Sequence, residues 1–348
     1  MDIEQLRNDT PNCKDKLFMD SAGASLMPAA VVRETNAYLS EEEKEGGYKL
    51  AALRAGAIED FYTEVAALLN CKPRNIAFAG SATEAYIKAL SSVPFKPGDV
   101  IITTDDDYVS NHLHFIALRE RFGVKSIRIK NLDNGDMDME NAGTLIKKHR
   151  PALVAVTHIP TNSGLIQDVE KIGALCETYN IPYLLDACQS VGQLEVDVKK
   201  IRCDFLSATG RKFLRGPRGT GFLFVSDKIL QQGYTPLFPD LRGAVWTAED
   251  RYTILDSARR FETWELPYAL LAGFREALRY ANTIGMKNIR HYNQQIMKRF
   301  RENLNAIPGV RMFDNGTHTA NILTFRKTGS SLEAIKNALD KHRVYYSV

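Results

Sequence analysis

Ser207-Ala-Thr-Gly-Arg-Lys212-Phe-Leu-Arg-Gly-Pro-Arg218-Gly-Thr-Gly-Phe222 lies between two apolar runs, Cys203 to Leu206 before it and Gly221 to Val225 behind it. Both runs have the length and composition of buried strands. One lysine therefore sits in a glycine-rich loop between two strands, and lysine is seldom buried without a partner or a purpose. Upstream, Tyr183-Leu-Leu-Asp186-Ala-Cys-Gln189-Ser190 ends another such run in a carboxylate.

Outward from these two points, strand-like and helix-like segments alternate. Asn75 to Gly80 reads as a short strand, and Ser81-Ala82-Thr83-Glu84 opens a helix running to about Ser91. Val100 to Thr104 is the next strand, leaving through Asp105-Asp-Asp-Tyr108-Val-Ser-Asn111. Ser126 to Lys130 follows, and then Pro151 to Ile159, continuously apolar as in a parallel sheet covered on both faces. That strand delivers Pro160-Thr161-Asn162-Ser163-Gly164, and a helix from Asp168 to Tyr179 leads to the strand Pro182 to Ala187. Near the N-terminus, Pro28 starts a helix that Gly46 and Gly47 stop. Ala51 to Leu69 has apolar spacing near 3.6 and reads as one amphipathic helix. The alternation predicts an α/β domain built on a doubly wound, mainly parallel sheet.

Ligand sites in such sheets gather outside the carboxyl ends of the strands. Thr83, Tyr108, Asn162, Asp186 and Lys212 all follow strand ends, so one crevice can contain them. An acid at one strand end and a lysine beyond the next are the two fixed points of a pyridoxal phosphate (PLP) site. The lysine forms the Schiff base, and the acid keeps the pyridine nitrogen protonated. Ser81 to Glu84 is an anion site by the logic of free N–H groups at a helix start, or equally an ordinary capping box. Cys188 falls between Asp186 and Gln189, where strand alternation turns it away from the acid and makes it a core thiol.

The pattern Asp186-x-x-Gln189, then Thr209, Arg211, Lys212 and Gly216-Pro-Arg-Gly-Thr-Gly221, resembles the class V aminotransferase family, which includes cysteine desulfurases and isopenicillin-N-epimerase-like enzymes. The resemblance runs from about Phe18 to the end of the chain and implies the PLP-dependent transferase fold type I with a smaller α+β domain. It implies a large PLP-binding domain at residues 17–245 and a small domain formed by residues 1–16 and 246–348. It also implies catalytic roles for Lys212 and Asp186, and cofactor contacts by Ala82, Thr83, Tyr108, Asn162, Asp186, Gln189, Thr209, Arg211 and Lys212. Tyr108 stands where desulfurases carry a ring-stacking histidine; a tyrosine packed on the domain surface is the other reading. Asn162 matches an asparagine beside the cofactor hydroxyl, or is simply a turn former. Arg211 replaces the histidine that desulfurases carry before the lysine; its forked guanidinium suits a phosphate, or a surface salt bridge. Phe18-Met-Asp20-Ser-Ala-Gly23 resembles the family's opening turn near the substrate.

The expected substrate is an amino acid, and the expected assembly is a homodimer in which the loop Tyr234 to Trp246 takes part. Arg211 in place of histidine, together with Arg259-Arg-Phe-Glu-Thr-Trp264-Glu, points to an epimerase- or aminotransferase-type outcome. A β-eliminating C–S lyase of the desulfurase kind is the alternative, and a catalytically idle PLP-fold scaffold a third reading. Relatives continue beyond this chain's last strand into a segment bearing a substrate-carboxylate arginine and, in desulfurases, a sulfur-accepting cysteine. Arg242 is the candidate that takes the carboxylate here.

Composition excludes several classes. With 348 residues, 44% hydrophobic and 25% charged, the chain is that of a globular protein. A net charge of +3 is too small to draw nucleic acid or an acidic membrane. Five cysteines, odd in number and without a Cys-x-x-Cys pair, argue against a disulfide framework or a zinc site, and for a reducing, cytoplasmic setting. No apolar signal core and no run of about 18 apolar residues is present. A dinucleotide oxidoreductase is disfavoured, because no Gly-x-Gly-x-x-Gly opens a helix after a first strand.

Overall fold

A computed structural model describes residues 1–313 and 316–348. Seven strands form the central sheet: β1 (Ile76–Ala79), β2 (Val100–Thr104), β3 (Lys125–Ile129), β4 (Leu153–Thr157), β5 (Tyr183–Asp186), β6 (Phe205–Thr209) and β7 (Gly221–Val225). They lie in the order β1-β7-β6-β5-β4-β2-β3. Six run parallel; β7 alone runs against its neighbours β1 and β6. This is the doubly wound, mainly parallel α/β sheet that the alternation of strands and helices predicts.

The helices that frame this sheet and its crevice are α1 (Ala29–Glu45), α2 (Ala55–Leu69), α3 (Ala82–Ser92), α4 (Val109–Phe122), α5 (Met139–His149), α6 (Val169–Tyr179) and α7 (Tyr268–Ile284). Strand alternation divides the core into two layers. Ile76, Phe78, Val154, Leu185, Leu206 and Phe222 meet α2, α5, α6 and α7 on one face. Ala77, Ala79, Leu153, Leu184, Phe205 and Leu223 meet α3 and Phe115 of α4 on the other. The strands inside the sheet are buried on both faces and show apolar runs rather than alternation, whereas the edge strand β3 is largely exposed. Gly173 marks how closely α6 approaches: a Cβ there would stand 1.7 Å from the Ile201 carbonyl oxygen.

The predicted helix over 51–69 is divided at Arg54, whose guanidinium is drawn onto Glu41 and Glu34 of α1. Side-chain packing crosses residue 245. The Phe274 ring of α7 lies 5.5 Å from Phe61 and 6.3 Å from Phe222, inside the core beneath the sheet. An amphipathic helix is placed by whichever apolar face receives it, and that is invisible to a boundary drawn from composition. Beyond α7, the helices Met286–Asn305 and Leu332–Lys341 accompany an antiparallel pair, Val310–Met312 with Phe325–Lys327. The strand Leu17–Phe18 pairs parallel with Val344–Tyr345, which brings the two ends of the chain together. The loop expected over Tyr234 to Trp246 runs into the strand Ala244–Ala248, which forms a hairpin with Arg251–Ile254. Among the described residues no helix is long and apolar enough to cross a membrane.

Candidate active site

Asp186 is the last residue of β5, and Lys212 stands three residues beyond the end of β6. Parallel register sets Thr157, Asp186 and Ser207 side by side on adjacent strands, so their side chains share one face of the sheet. Lys212 is 7% exposed and Asp186 5%. Among the described residues the Lys212 amine makes no hydrogen bond or ion pair. Burial is the largest influence on Asp186 and pushes its carboxyl above the ordinary range. The Cys188 N–H opposes that push, the Asp107 charge adds to it, and Lys212 and Asn111 again oppose it. A buried acid so placed gains most from a cationic N–H partner.

The sequence gives no hint of the side chains that hold this acid. Cys188 N donates to Asp186 Oδ1 at 2.9 Å, and Asn111 Nδ2 donates to Asp186 Oδ2 at 3.2 Å. The same Nδ2 donates to Asp107 Oδ1 at 2.8 Å. Asp107 also accepts from Tyr108 N at 2.7 Å, from Thr103 Oγ1 at 3.0 Å, and from the Thr157 hydroxyl. In the run Asp105-Asp106-Asp107, nothing in one dimension says which carboxylate turns inward. The available signal is the pair Thr103 and Thr157, hydroxyls near strand ends that need an acceptor once buried.

Cys188 does not behave as a core thiol. The strand ends at Asp186, so alternation no longer governs Cys188, which lies in the following turn and is partly exposed. Burial pushes its thiol up, Asp186 adds to the rise, and Lys212 and Arg211 oppose it, so the thiol shares the charge field of the site.

At the far end of the crevice, Ser81 Oγ caps α3 by accepting Glu84 N at 3.1 Å. The Glu84 carboxylate reaches back to Gly80 N at 2.8 Å, one residue earlier than a capping box requires. The N–H groups of Ala82 and Thr83 carry no partner among the described residues. Gly221 is pressed against this helix start: a Cβ there would lie 2.9 Å from the Ser81 carbonyl carbon and 3.1 Å from Ala82 N. The antiparallel β7 thus brings the start of α3 beside the end of β6. Thr209 donates its hydroxyl to the Thr220 carbonyl at 3.2 Å.

Arg211 donates to the Gly23 carbonyl, and Ser25 N donates to the Arg211 carbonyl at 2.8 Å. Gln189 Nε2 donates to the Ala22 carbonyl at 3.3 Å and to Thr161 Oγ1 at 3.4 Å. The opening turn at Ala22 to Ser25 therefore closes over the lysine loop. Gln189 Oε1 is buried without a partner among the described residues, as is Ser207 Oγ. Tyr108 precedes the first residue of α4 with its ring 42% exposed. Asn162 is exposed, and its contact is through the main chain, whose carbonyl accepts from Thr324 Oγ1 at 2.9 Å. The structure thus joins Asp186 with Lys212, and Gln189 and Arg211 with the opening turn. Among the described residues the Asn162 side chain makes no hydrogen bond.

A partnerless buried amine, a buried carboxylate wanting a cationic donor, an orphaned amide oxygen and two free N–H groups at a helix start together fit PLP. In such a fit Lys212 would meet the aldehyde, Asp186 the ring nitrogen, Gln189 Oε1 the ring hydroxyl and the start of α3 the phosphate.

Arg242 is not free to take a substrate carboxylate. Its Nε pairs with Glu262 Oε2 at 2.5 Å. The other Glu262 oxygen accepts from Tyr62 OH and from Phe78 N, each at 2.8 Å. Arg259 lies over the Tyr62 ring, 4.0 Å from its centroid. The carboxylate of Glu262, fully buried, pins the Arg242 loop to α2 and β1.

The aminotransferase class-V family model matches residues 17–347. A probable cysteine desulfurase of Methanothermobacter thermautotrophicus is 29% identical over 98% of this chain and 85% of its own length. A probable cysteine desulfurase of Pyrococcus abyssi is 28% identical over 98% of this chain and 86% of its own. The apo structure of a cysteine desulfurase from Thermococcus onnurineus superposes with a TM-score of 0.89 at 27% identity, covering 98% of this chain and 86% of the other.

Removing Glu262 leaves Arg242 and Tyr62 facing a hole. Glu262→Ala is expected to lower unfolding free energy by about 3 kcal/mol, read by urea denaturation. A loss under about 1 kcal/mol, the range of a surface pair, would show that the cluster does not secure the loop.

Proposed function

Because the chain belongs to the aminotransferase class-V family, we propose that it is a PLP-dependent C–S lyase acting on a cysteine-type amino acid through Lys212. PLP is the cofactor of the chain; when bound, it supplies an electron sink conjugated to the substrate Cα. The supporting observation is that both relatives matching nearly the whole chain bear the name probable cysteine desulfurase. The epimerase- or aminotransferase-type outcome read from the sequence rested on two local departures, Arg211 and the Trp264-Glu265 stretch. Likeness along the whole chain outweighs them, and β-elimination takes its place.

The work is divided among the chain's own residues. The Lys212 amine, once displaced by substrate, is the general base at Cα, its buried loop keeping it near the reacting carbon. Asp186 accepts the ring N–H and holds the pyridine nitrogen protonated. Gln189 Oε1, which lacks any other donor, accepts the ring hydroxyl. Ala82 and Thr83 N–H groups at the start of α3 take the phosphate, and Arg211, spending one N–H on Gly23, turns its remaining donors to the same group. Thr209, whose hydroxyl donates to the Thr220 carbonyl, becomes a phosphate partner by turning that donor from Thr220. Tyr108 covers the ring face, and Asn162, exposed after β4, is the candidate beside the ring hydroxyl. The large unit extends through α7, and the small unit is formed by the C-terminal helices and strands beyond it together with the N-terminal strand.

A second copy of this chain covers the hairpin and the loop before it in this reading. Phe238 is 85% exposed, Trp246 78% and Leu241 66%. Apolar and aromatic groups grouped in this way mark an interface. Five free cysteines suit a reducing, cytoplasmic setting.

Two measurements check the reading. Incubation of the PLP-loaded protein with a panel of L-amino acids plus a thiol reductant is expected to release sulfide from cysteine-type substrates only. Alanine beside the sulfide marks desulfuration by the thiol, and pyruvate with ammonia marks simple elimination. Keto acid or racemised amino acid without sulfide would restore the alternative outcome. Light scattering at micromolar concentration is expected to give the mass of two chains, and a fully active monomer would remove the second copy from the account.

A further inference from the structure

Asn111 is the third residue of α4, 2% exposed, and takes no part in capping that helix. Tyr108 N donates instead to the Asp107 side chain, and the Asn111 amide reaches across to the neighbouring strand end. Its two Nδ2 hydrogens go to two different carboxylates, Asp107 Oδ1 at 2.8 Å and Asp186 Oδ2 at 3.2 Å. Both partners are acceptors only when ionised, so the opposite amide orientation would set oxygen against oxygen. The amide plane is therefore fixed by its neighbours.

Asp107 has no freedom of its own. Tyr108 N, Thr103 Oγ1 and the Thr157 hydroxyl occupy the rest of its carboxylate. Thr103 and Thr157 are residues of β2 and β4, so the anchor is the sheet itself. On the other side, Asp186 is held at one oxygen by the Cys188 N–H of its own turn and at the other by Asn111. Two oxygens held from different elements leave the carboxylate one orientation.

We propose that Asn111 is a positioning residue for Asp186: backed by Asp107, it fixes the carboxylate in the orientation that meets the ring nitrogen of PLP. The same brace carries Tyr108, whose main chain is tied to Asp107, so the ring-face residue and the nitrogen partner are set by one hydrogen-bonded unit. The inference rests on the proposed role of Asp186 as partner of the ring nitrogen.

The brace also has an electrostatic consequence. The groups facing Asp186 are Asp107 from the loop after β2, Tyr86 from α3, Cys188 from the turn after β5 and Lys212 from the loop after β6. Without Asn111, Asp186 loses a donor and meets the Asp107 charge with nothing between them. Both changes favour the neutral carboxyl, so Asp186 stays protonated to higher pH.

The test compares wild type, Asn111→Ala, the nearly isosteric Asn111→Leu, and Asp186→Asn as the reference. Apo protein is titrated with PLP by visible absorbance, the pH dependence of the bound cofactor band is followed, and apo melting is recorded by circular dichroism. Both Asn111 variants are expected to melt cooperatively, to bind PLP about 10- to 100-fold more weakly, and to move the acid-side change of the band to higher pH. Asp186→Asn is expected to lose that acid-side change. Wild-type affinity and an unmoved pH limb in either folded Asn111 variant, beside an altered Asp186→Asn, would overturn the brace and leave the role of Asp186 standing. An Asp186→Asn protein that binds and titrates like wild type would instead remove the role of Asp186. Failure of both Asn111 variants to fold while Asp186→Asn folds would make Asn111 a folding residue and also overturn the proposal.

Discussion

Asp186 is an ionisable acid set almost out of reach of water, within the field of an equally buried lysine. Burial of either charge alone is costly, and the cost falls only when partners are supplied. Much of the nearby architecture supplies them: the N–H of the following turn, an asparagine from α4, and an amine from the loop after β6. The lysine has no partner of its own among the described residues, and the acid is raised above its ordinary range. The unmet needs of the two groups together describe the ligand they receive.

Topology makes this arrangement available. In a sheet whose inner strands are buried on both faces, the loops at the carboxyl ends are the ones placed to carry polar groups toward a ligand. Six parallel strands put those loops on one side, and the antiparallel β7 returns the chain to the start of α3. Gly221 allows the contact because a side chain there would collide with the main chain of Ser81 and Ala82. The opening turn at Ala22 to Ser25 closes the crevice from the other side through Gln189 and Arg211. The Arg242 loop is secured by its own buried partner, Glu262.

The strands and most helix limits are legible in the sequence because each has a local cause. Pro28 precedes α1, Gly46 ends it, Ser81 caps α3, and most strand runs inside the sheet are apolar. Lys212, Asp186 and Gln189 are legible from position at strand ends together with a family pattern. Relations between residues distant in sequence are not. Asn111 and Asp107 acquire meaning only when β2 is seen beside β4 and β5. Arg242 reads as a free cation until Glu262, 20 residues on, is seen to occupy it. Cys188 reads as a core thiol only when alternation is carried one turn past the end of its strand. The docking of α7 onto the sheet depends on which apolar surface is left uncovered, and no local signal records that.

Borohydride reduction of the cofactor-saturated protein, followed by proteolysis and peptide mapping, puts the assignment of the site to a direct test. Reduction fixes the cofactor to whichever amine carries it. The geometry predicts a single labelled peptide, Phe205 to Arg215 or a fragment of it, modified at Lys212. A label on any other lysine, or none in protein saturated with PLP, would contradict the assignment and with it the roles given to Asp186 and Asn111.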